Sequence, residues 1–470
     1  MFRKPFRALA GLAVVGLVAG ALALPAGAAT HRAAAVQGVT DKEITITALV
    51  ADLDGLRAKG FNLAPKLTTG NLLKKWQTFA DAYGPINGRK VTVKPAVWDP
   101  LDATSFDKAC AQASVDNKPF VIVNGNGFRQ ATIPCMVIQN KTPMFYGESV
   151  TQALIDAAGD NLFSLGVPAP KSGAAAVDAA VKGKFITSAN KIGILGGNGP
   201  ASTEAGDALE AGLKKAGMNM VSRINVNELS ADATAVNRES AAAVATFQAK
   251  AVDYVFVVIP FTWNKGFFQE NKASGAALKT MLVDSASSMC TAYGATQISP
   301  DAVGTPCATT WDTRAVAAKN AVKKDNQFEG QCRKEFDAGL NEKSQPGGPS
   351  GDLVKDGVVL ATEDFSPNEC TMMTLLLDAM KKSGKSLTWA KVAANLKKVS
   401  KGDAAMMSNG VGTFSAKKPF YADFIHVVTL NTASPDTAKD ANGLYNGCPV
   451  QANCWVPVAT DPNAEWTPIK

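Results

Sequence analysis

Five short runs rich in β-branched and other apolar residues recur along the chain up to residue 259: EITITALV (43–50), KVTVKPAVW (90–98), PFVIVNG (119–125), KIGILGG (191–197) and DYVFVVI (253–259). Between them the apolar residues fall at three- and four-residue spacing instead. Leu72, Leu73, Trp76, Phe79 and Tyr83 share one helix face, as do Ala205, Leu209 and Leu213, with Gly217 as a stop signal. Val236, Val244 and Phe247 repeat the arrangement less regularly. Strands separated by whole helices cannot pair as hairpins, so they pair in parallel and are covered by helices on both faces. The fold class predicted is therefore α/β.

With 470 residues the chain exceeds one ordinary core, and two domains are expected. The pattern loosens over residues 285–350, which are rich in Ser, Gly, Asn and Pro and contain the loop SQPGGPSGD (344–352). Helical periodicity returns over 369–382, where Met372, Leu375, Leu376 and Met380 form the expected core face, and over 389–399. Residues 420–430 read as a late strand, followed by a tail rich in Asn, Asp and Pro.

The first residues combine a basic start (Arg3, Lys4, Arg7), an apolar run from Ala8 to Leu24 and small residues around Ala28. That is the pattern of a secretory signal spanning 1–28, and Pro25 ends the apolar run before it reaches the ~20 residues a membrane span prefers. A secreted or periplasmic location with no membrane insertion is expected. No cysteine lies near the cut, so a lipobox is missing. Removal of the signal lowers the formal net charge of +7 by the charges of Arg3, Lys4 and Arg7, to +4. Such a mild, interspersed balance leaves no nucleic-acid footprint. The pairs Lys74-Lys75, Lys214-Lys215 and Lys381-Lys382 read as solvated helix faces.

All eight cysteines (Cys110, Cys135, Cys290, Cys307, Cys332, Cys370, Cys448, Cys454) lie beyond the signal, an even number without a CxxC pair or a nearby histidine. Outside the cytosol this points to disulfides rather than zinc or redox chemistry, each contributing roughly 2–4 kcal/mol. Spacing does not fix the connectivity; pairing in chain order is the simplest arrangement, with the last pair clipping the tail.

Several segments resemble the type I solute-binding proteins of ABC importers, in the branched-chain amino-acid-binding branch. GVTDKEITI (38–46) is similar to the family's opening strand, and AYGPINGRKVTV (82–93) to its first helix-to-strand turn. NLFSLGVPAP (161–170) matches a crossing between lobes, and NGVGTFSAKKPFYADFIHVV (409–428) the closing hairpin and last crossing. The resemblance implies two doubly wound, Rossmann-like lobes joined by three hinge strands near Val167, Gly304 and Pro419. The first lobe would comprise 38–166 and 305–419, the second 167–304, with 420–470 as final crossing and tail. It implies a monomer that closes on one small molecule and passes it to the membrane permease of an ABC importer, with no cofactor.

Ligands of open parallel sheets sit beyond the carboxyl ends of strands, where loops and helix N-termini present backbone N–H groups. In the first lobe those loops are NGNGFRQ (124–130) and YGESVTQ (146–152), with Asn126, Gly127, Phe128, Glu148 and Ser149 as candidate contacts. In the second they are GNGPAST (197–203), IPFTWNKG (259–266) and VDSASS (283–288), offering Asn198, Thr262, Trp263, Asp284 and Ser285. The Gly-rich 197–203 loop lacks the third glycine and acidic partner of a dinucleotide site.

Family members that bind amino acids hold the ammonium with a Tyr and an acid. Asp284 falls at the acid's place, whereas Phe261, Thr262 and Trp263 stand where the tyrosine is expected. Asn126, Gly127 and Phe128 replace the family's paired Ser/Thr. Trp263 and Phe128 suit a flat or apolar ligand.

An exported hydrolase is the rival from another class. A serine triad or metal site needs histidine, and only His31 and His426 are present. His426 within FIHVV reads as a packed strand residue. A ligand sensor of the same fold is the second rival.

Overall fold

A computed structural model describes residues 36–59, 68–125, 130–228, 230, 232–284, 289–290, 294–295, 298–311, 327–340, 353–355, 358–360, 367–432, 453–458 and 466–470. The signal segment 1–28, the candidates Asn126, Gly127, Phe128 and Ser285, and Cys448 lie outside these residues.

Two sheets organise the chain. The first joins β1 (Glu43–Ala51), β2 (Lys90–Trp98), β3 (Val121–Asn124), β4 (Met144–Tyr146) and β5 (Leu162–Ser164) in the order β2-β1-β3-β4-β5, every pair parallel. Ile44, Ile46, Ala48 and Val50 turn one face of β1 into a cluster with Trp76 and Phe79 of the helix Thr69–Tyr83. Leu49 points the other way, into a cluster with Phe106, Ala109 and Ile122. The first half of β1, EITIT, alternates, and its second half, ALVA, runs apolar where both faces are buried. Thr68 starts the Thr69–Tyr83 helix by accepting a bond from the Asn71 N–H at 3.0 Å, and Gly84, at φ 85°, ends it.

The second sheet contains β6 (Lys191–Gly197), β7 (Asn219–Val226), β8 (Tyr254–Val257), β9 (Lys279–Val283) and β10 (Pro306–Thr309), ordered β10-β9-β8-β6-β7 and parallel. Helices Ala169–Lys182 and Pro200–Lys215 cover one face, Ala233–Ala249 and Phe261–Ala273 the other. Of the short strands that follow, Leu353–Lys355 (β11) pairs with Val358–Leu360 (β12), and Gly402–Asp403 (β13) with Val411–Gly412 (β14). An antiparallel border then extends the second sheet. β15 (Phe424–Asn431) pairs with β10, and its outer edge is covered in turn by β16 (Cys454–Pro457) and β17 (Thr467–Pro468).

Helices Pro367–Lys382 and Trp389–Leu396 pack on the first sheet, where Met372, Leu376 and Met380 join the core with Trp76. The described residues between 305 and 350 divide between the sheets: β10 belongs to the second, while the helix Gln327–Leu340 is tied to the first-sheet helix Pro367–Lys382 by the Cys332–Cys370 disulfide. Cys110–Cys135 and Cys290–Cys307 are also bonded, so the three described pairs follow chain order.

Candidate functional site

Each sheet turns back on its own strand order once. β1 lies between β2 and β3, and β6 between β7 and β8, so the crevices of these doubly wound sheets open after β1 and β3 and after β6 and β8. The chain passes between the sheets at the same ends. It leaves β5 through Ser164–Pro168, leaves β10 through Thr309–Trp311, and enters β15 through Phe420–Phe424. The first and third crossings are bonded side by side: the Tyr421 N–H donates to Ser164 O at 2.9 Å, Ala422 to Leu165 O at 3.0 Å, and Ser164 to Pro419 O at 3.0 Å. Gly304 lies at the amino end of β10, where its N–H donates to Leu430 O, so the second crossing runs a strand's length beyond it.

Loops stacked almost without clearance follow the strands of the first sheet. The Gly147 N–H donates to Asn124 O at 2.7 Å, and a Cβ on Gly147 would stand 1.9 Å from the Gly125 carbonyl oxygen. Only glycine permits that approach. Asn368 Nδ2 donates to the same Gly125 oxygen at 2.9 Å, and a Cβ on Gly125 would meet the Glu369 carboxylate, so the start of the helix Pro367–Lys382 packs behind these loops. Glu148 is buried and accepts a 2.8 Å bond from the Tyr146 hydroxyl, whose pKa is pushed well up by burial and then by that carboxylate. Ser149 is buried beside it, its carbonyl accepting from Gln130 Nε2 at 2.7 Å.

Beyond the strands of the second sheet, Asn198 is exposed and donates from Nδ2 to Asn227 Oδ1 at 2.8 Å. Directly after it, the N-terminus of the helix Pro200–Lys215 is covered by Glu228, which accepts from Ser202 Oγ at 2.8 Å and from the Gly199 N–H. Burial raises the Glu228 carboxyl against these two bonds. Thr262 and Trp263 lie in the first turn of the helix Phe261–Ala273; Trp263 is half-buried and packs against the cluster containing Val257 and Phe267.

Asp284 follows β9 and is 6% exposed. Its Oδ1 accepts from the Met289 N–H at 3.1 Å and its Oδ2 from the Thr309 hydroxyl at 2.8 Å. Those bonds tie the loop after β9 to the end of β10, and Cys290–Cys307 repeats the tie covalently.

Two contacts near the crossings carry no local sequence signal. Glu204, from the helix Pro200–Lys215, accepts the Gln152 N–H at 2.6 Å and the Ala153 N–H at 3.2 Å, reaching from the second lobe to a helix of the first, Gln152–Ala158. Lys418 Nζ donates to the carbonyls of Thr413, Phe420 and Tyr421 at 2.6, 2.7 and 3.0 Å and pairs with Asp423 at 3.0 Å. Burial lowers its pKa to about 8, with Asp423 opposing the shift.

His426 is fully buried in β15, stacked on Trp466 at 4.0 Å, with its Nε2 against the Trp311 carbonyl. Among the described residues no group of His, Cys, Asp and Glu is arranged to hold a metal ion, and no helix is long and apolar enough to cross a membrane.

No protein-family model and no curated sequence matches the chain. Solved structures do. A leucine-binding protein from Thermotoga maritima superposes with a TM-score of 0.59 at 14% identity, over 83% of this chain and 96% of that one. A solute-binding protein of an ABC transporter from R. palustris, in complex with 4-hydroxybenzoate, gives 0.58 at 13% identity over 88% and 98%. A branched-chain amino-acid ABC transporter protein from Thermus thermophilus with bound valine gives 0.56 at 12% identity over 90% and 96%. The fold is the two-lobed α/β fold of the type I periplasmic binding proteins of ABC transporters.

Proposed function

We propose that the protein is an exported solute-binding protein that captures a small organic molecule between its lobes by hinge closure and delivers it to an ABC importer. The observation that carries this is the joining of two doubly wound sheets, through three crossings of which the first and third are bonded side by side, at the carboxyl ends of their strands. Those ends are where such sheets bind ligands, so two of them meeting at a narrow hinge make a cleft with walls from both lobes. A ligand touching both walls favours the closed form by its extra contacts there, the motion for which periplasmic binding proteins serve as the general example.

Similar folds hold leucine, valine and hydroxybenzoates, and the ligand proposed here belongs to that range of small organic acids and amino acids. The extent of the similarity to solute-binding proteins favours binding over catalysis, and the N-terminal sequence supports export with cleavage after Ala28. Asn126, Gly127, Phe128, Glu148 and Ser149 from the first lobe, with Asn198, Thr262, Trp263, Asp284 and Ser285 from the second, remain the proposed contact set. Within it, the bonds of Asp284 support a role in holding the loop as well as any role toward ligand.

A thermal-shift screen of the mature protein against aliphatic amino acids and hydroxylated benzoic acids tests the proposal. A compound that raises the melting temperature and also reduces the radius of gyration in solution scattering supports capture by closure. Absence of both responses across the panel removes these ligand classes.

A further inference from the structure

The segment Trp466–Lys470 bonds directly to the third crossing and reaches residues that adjoin the other two. Trp466 stacks on His426, interplanar angle 8°, and the His426 ring is bonded to the carbonyl of Trp311 in the second crossing. Thr467 pairs with Ile425, and the Ile469 N–H donates to Asp423 O at 2.8 Å, in the third. Lys171, just past the first crossing, donates from Nζ to Lys470 O at 2.6 Å and lies 5.8 Å from the ring centroid of Phe420. The side chain of Ile469 packs against the apolar clusters of both sheets.

We propose that Trp466–Lys470 is a hinge strap: a short fourth strand that stiffens the crossings and so sets how far and how readily the lobes open. This rests on the hinge-closure reading, although the contacts themselves do not. A hinge works through a few residues at element ends that absorb backbone rotation. Here those residues have part of their backbone bonding capacity taken by a segment that is not itself a crossing. Asp423 cannot rotate freely while its carbonyl is held by Ile469. The second and third crossings are further coupled through the His426 ring, whose position Trp466 fixes. With the strap in place the crossings move together, and without it each can flex separately.

The test uses the ligand-free mature protein, so it stands whatever ligand the cleft takes. Amide exchange is measured at Tyr421, Ala422 and Ser164, which carry the bonds between crossings, and at Ile46 and Val255 in the two sheet cores. Solution scattering is recorded on the same samples.

Ile469→Ala removes the straddling side chain and leaves the Thr467 pairing; deletion of 466–470 removes the whole strap. We expect exchange at the crossing amides to rise by about tenfold in Ile469→Ala, corresponding to ~1.4 kcal/mol, with the core amides unchanged. The scattering profile should broaden toward more open shapes in the deletion. Two results overturn the proposal: crossing amides and scattering that match the wild type in both variants, or exchange that rises equally at crossings and cores in Ile469→Ala. Failure of the ligand screen alone, with the exchange result as expected, would count against solute capture and leave the strap standing.

Discussion

Asp284 is tied to its surroundings through both carboxylate oxygens, one on the Met289 N–H and one on the Thr309 hydroxyl. Removing an acceptor from buried donors costs about 1–3 kcal/mol, because the donors stay dry. Asp284→Ala is therefore expected to lower stability by about that amount, while Asp284→Asn, which keeps an acceptor oxygen, should cost less. Urea unfolding of the three proteins would order them wild type, Asn, Ala; an Ala variant as stable as wild type removes the carboxylate from the loop's support. Ligand binding separates the second role. If a cationic amino acid is bound through Asp284, Asp284→Lys abolishes that binding while Asp284→Asn weakens it in proportion to the lost charge.

Lys418 makes a pH prediction of definite sign. Its pKa is about 8 in the native state, lowered from the ordinary 10.5 chiefly by burial. Between those values the unfolded chain holds a proton that the native chain has released, so this group makes stability rise as pH rises from 8 to 10.5. Lys418→Met should remove that contribution. Unfolding free energies measured for both proteins across this window check it: parallel curves would mean that the ammonium keeps its proton, held by Asp423 and the three carbonyls.

At the scale of elements, the disulfide Cys290–Cys307 closes a sequence separation of 17 residues between the loop after β9 and strand β10. Loop entropy puts the stabilisation from such a bridge near 3 kcal/mol. Because the bridge ends one residue after Met289, its loss also loosens the hold of Asp284 on the loop. The double variant Cys290→Ser, Cys307→Ser should lose ligand affinity by more than the corresponding pair at Cys110 and Cys135, which lies among helices on the face of the first sheet opposite Trp76. Calorimetric titration of both variants with the ligand found by screening would show equal losses if the β9 loop takes no part in the cleft.

Elements were legible in the sequence where both faces of a strand are buried or one helix face is apolar. The ends of β2 and β6 coincide with the runs KVTVKPAVW and KIGILGG, and the stripe through Trp76 and Phe79 is the buried face of its helix. β10 was not legible: PCAT is four residues long, begins with proline and lies in a stretch dominated by turn formers. The hinge expected near Gly304 stands at the amino end of this strand. Of the proposed contact residues, Glu148, Asn198 and Asp284 were legible as residues that follow strand ends. What each side chain bonds was not, because the partners are fixed by packing between distant segments: Thr309 lies 25 residues from Asp284, and Asn368 lies 243 from Gly125.

For the molecule as a whole, the bond from Glu204 to the Gln152–Ala158 helix is the contact most exposed to lobe motion, because it joins the lobes away from the backbone of the crossings. A carboxylate at the start of a helix faces unpaired N–H groups and the positive end of the peptide dipoles, so this one draws the second lobe toward the first. Rotation that parts the lobes must stretch it. Its free energy then enters the balance between open and closed forms, and through that balance the apparent ligand affinity, without any contact with ligand. A hydrogen bond to a charged group contributes about 1.5–3 kcal/mol, but salt screening at a partly exposed site brings the effect toward the lower end. Glu204→Ala is accordingly expected to weaken ligand binding by roughly tenfold and to enlarge the radius of gyration of the ligand-free protein. Glu204→Gln, which retains the acceptor and loses the charge, should fall between. The difference between wild type and Glu204→Ala should shrink as salt is raised from 50 mM to 1 M, roughly in step with the shortening Debye length. Affinity and scattering that are unchanged in Glu204→Ala would place this bond on the hinge axis, where rotation leaves it intact.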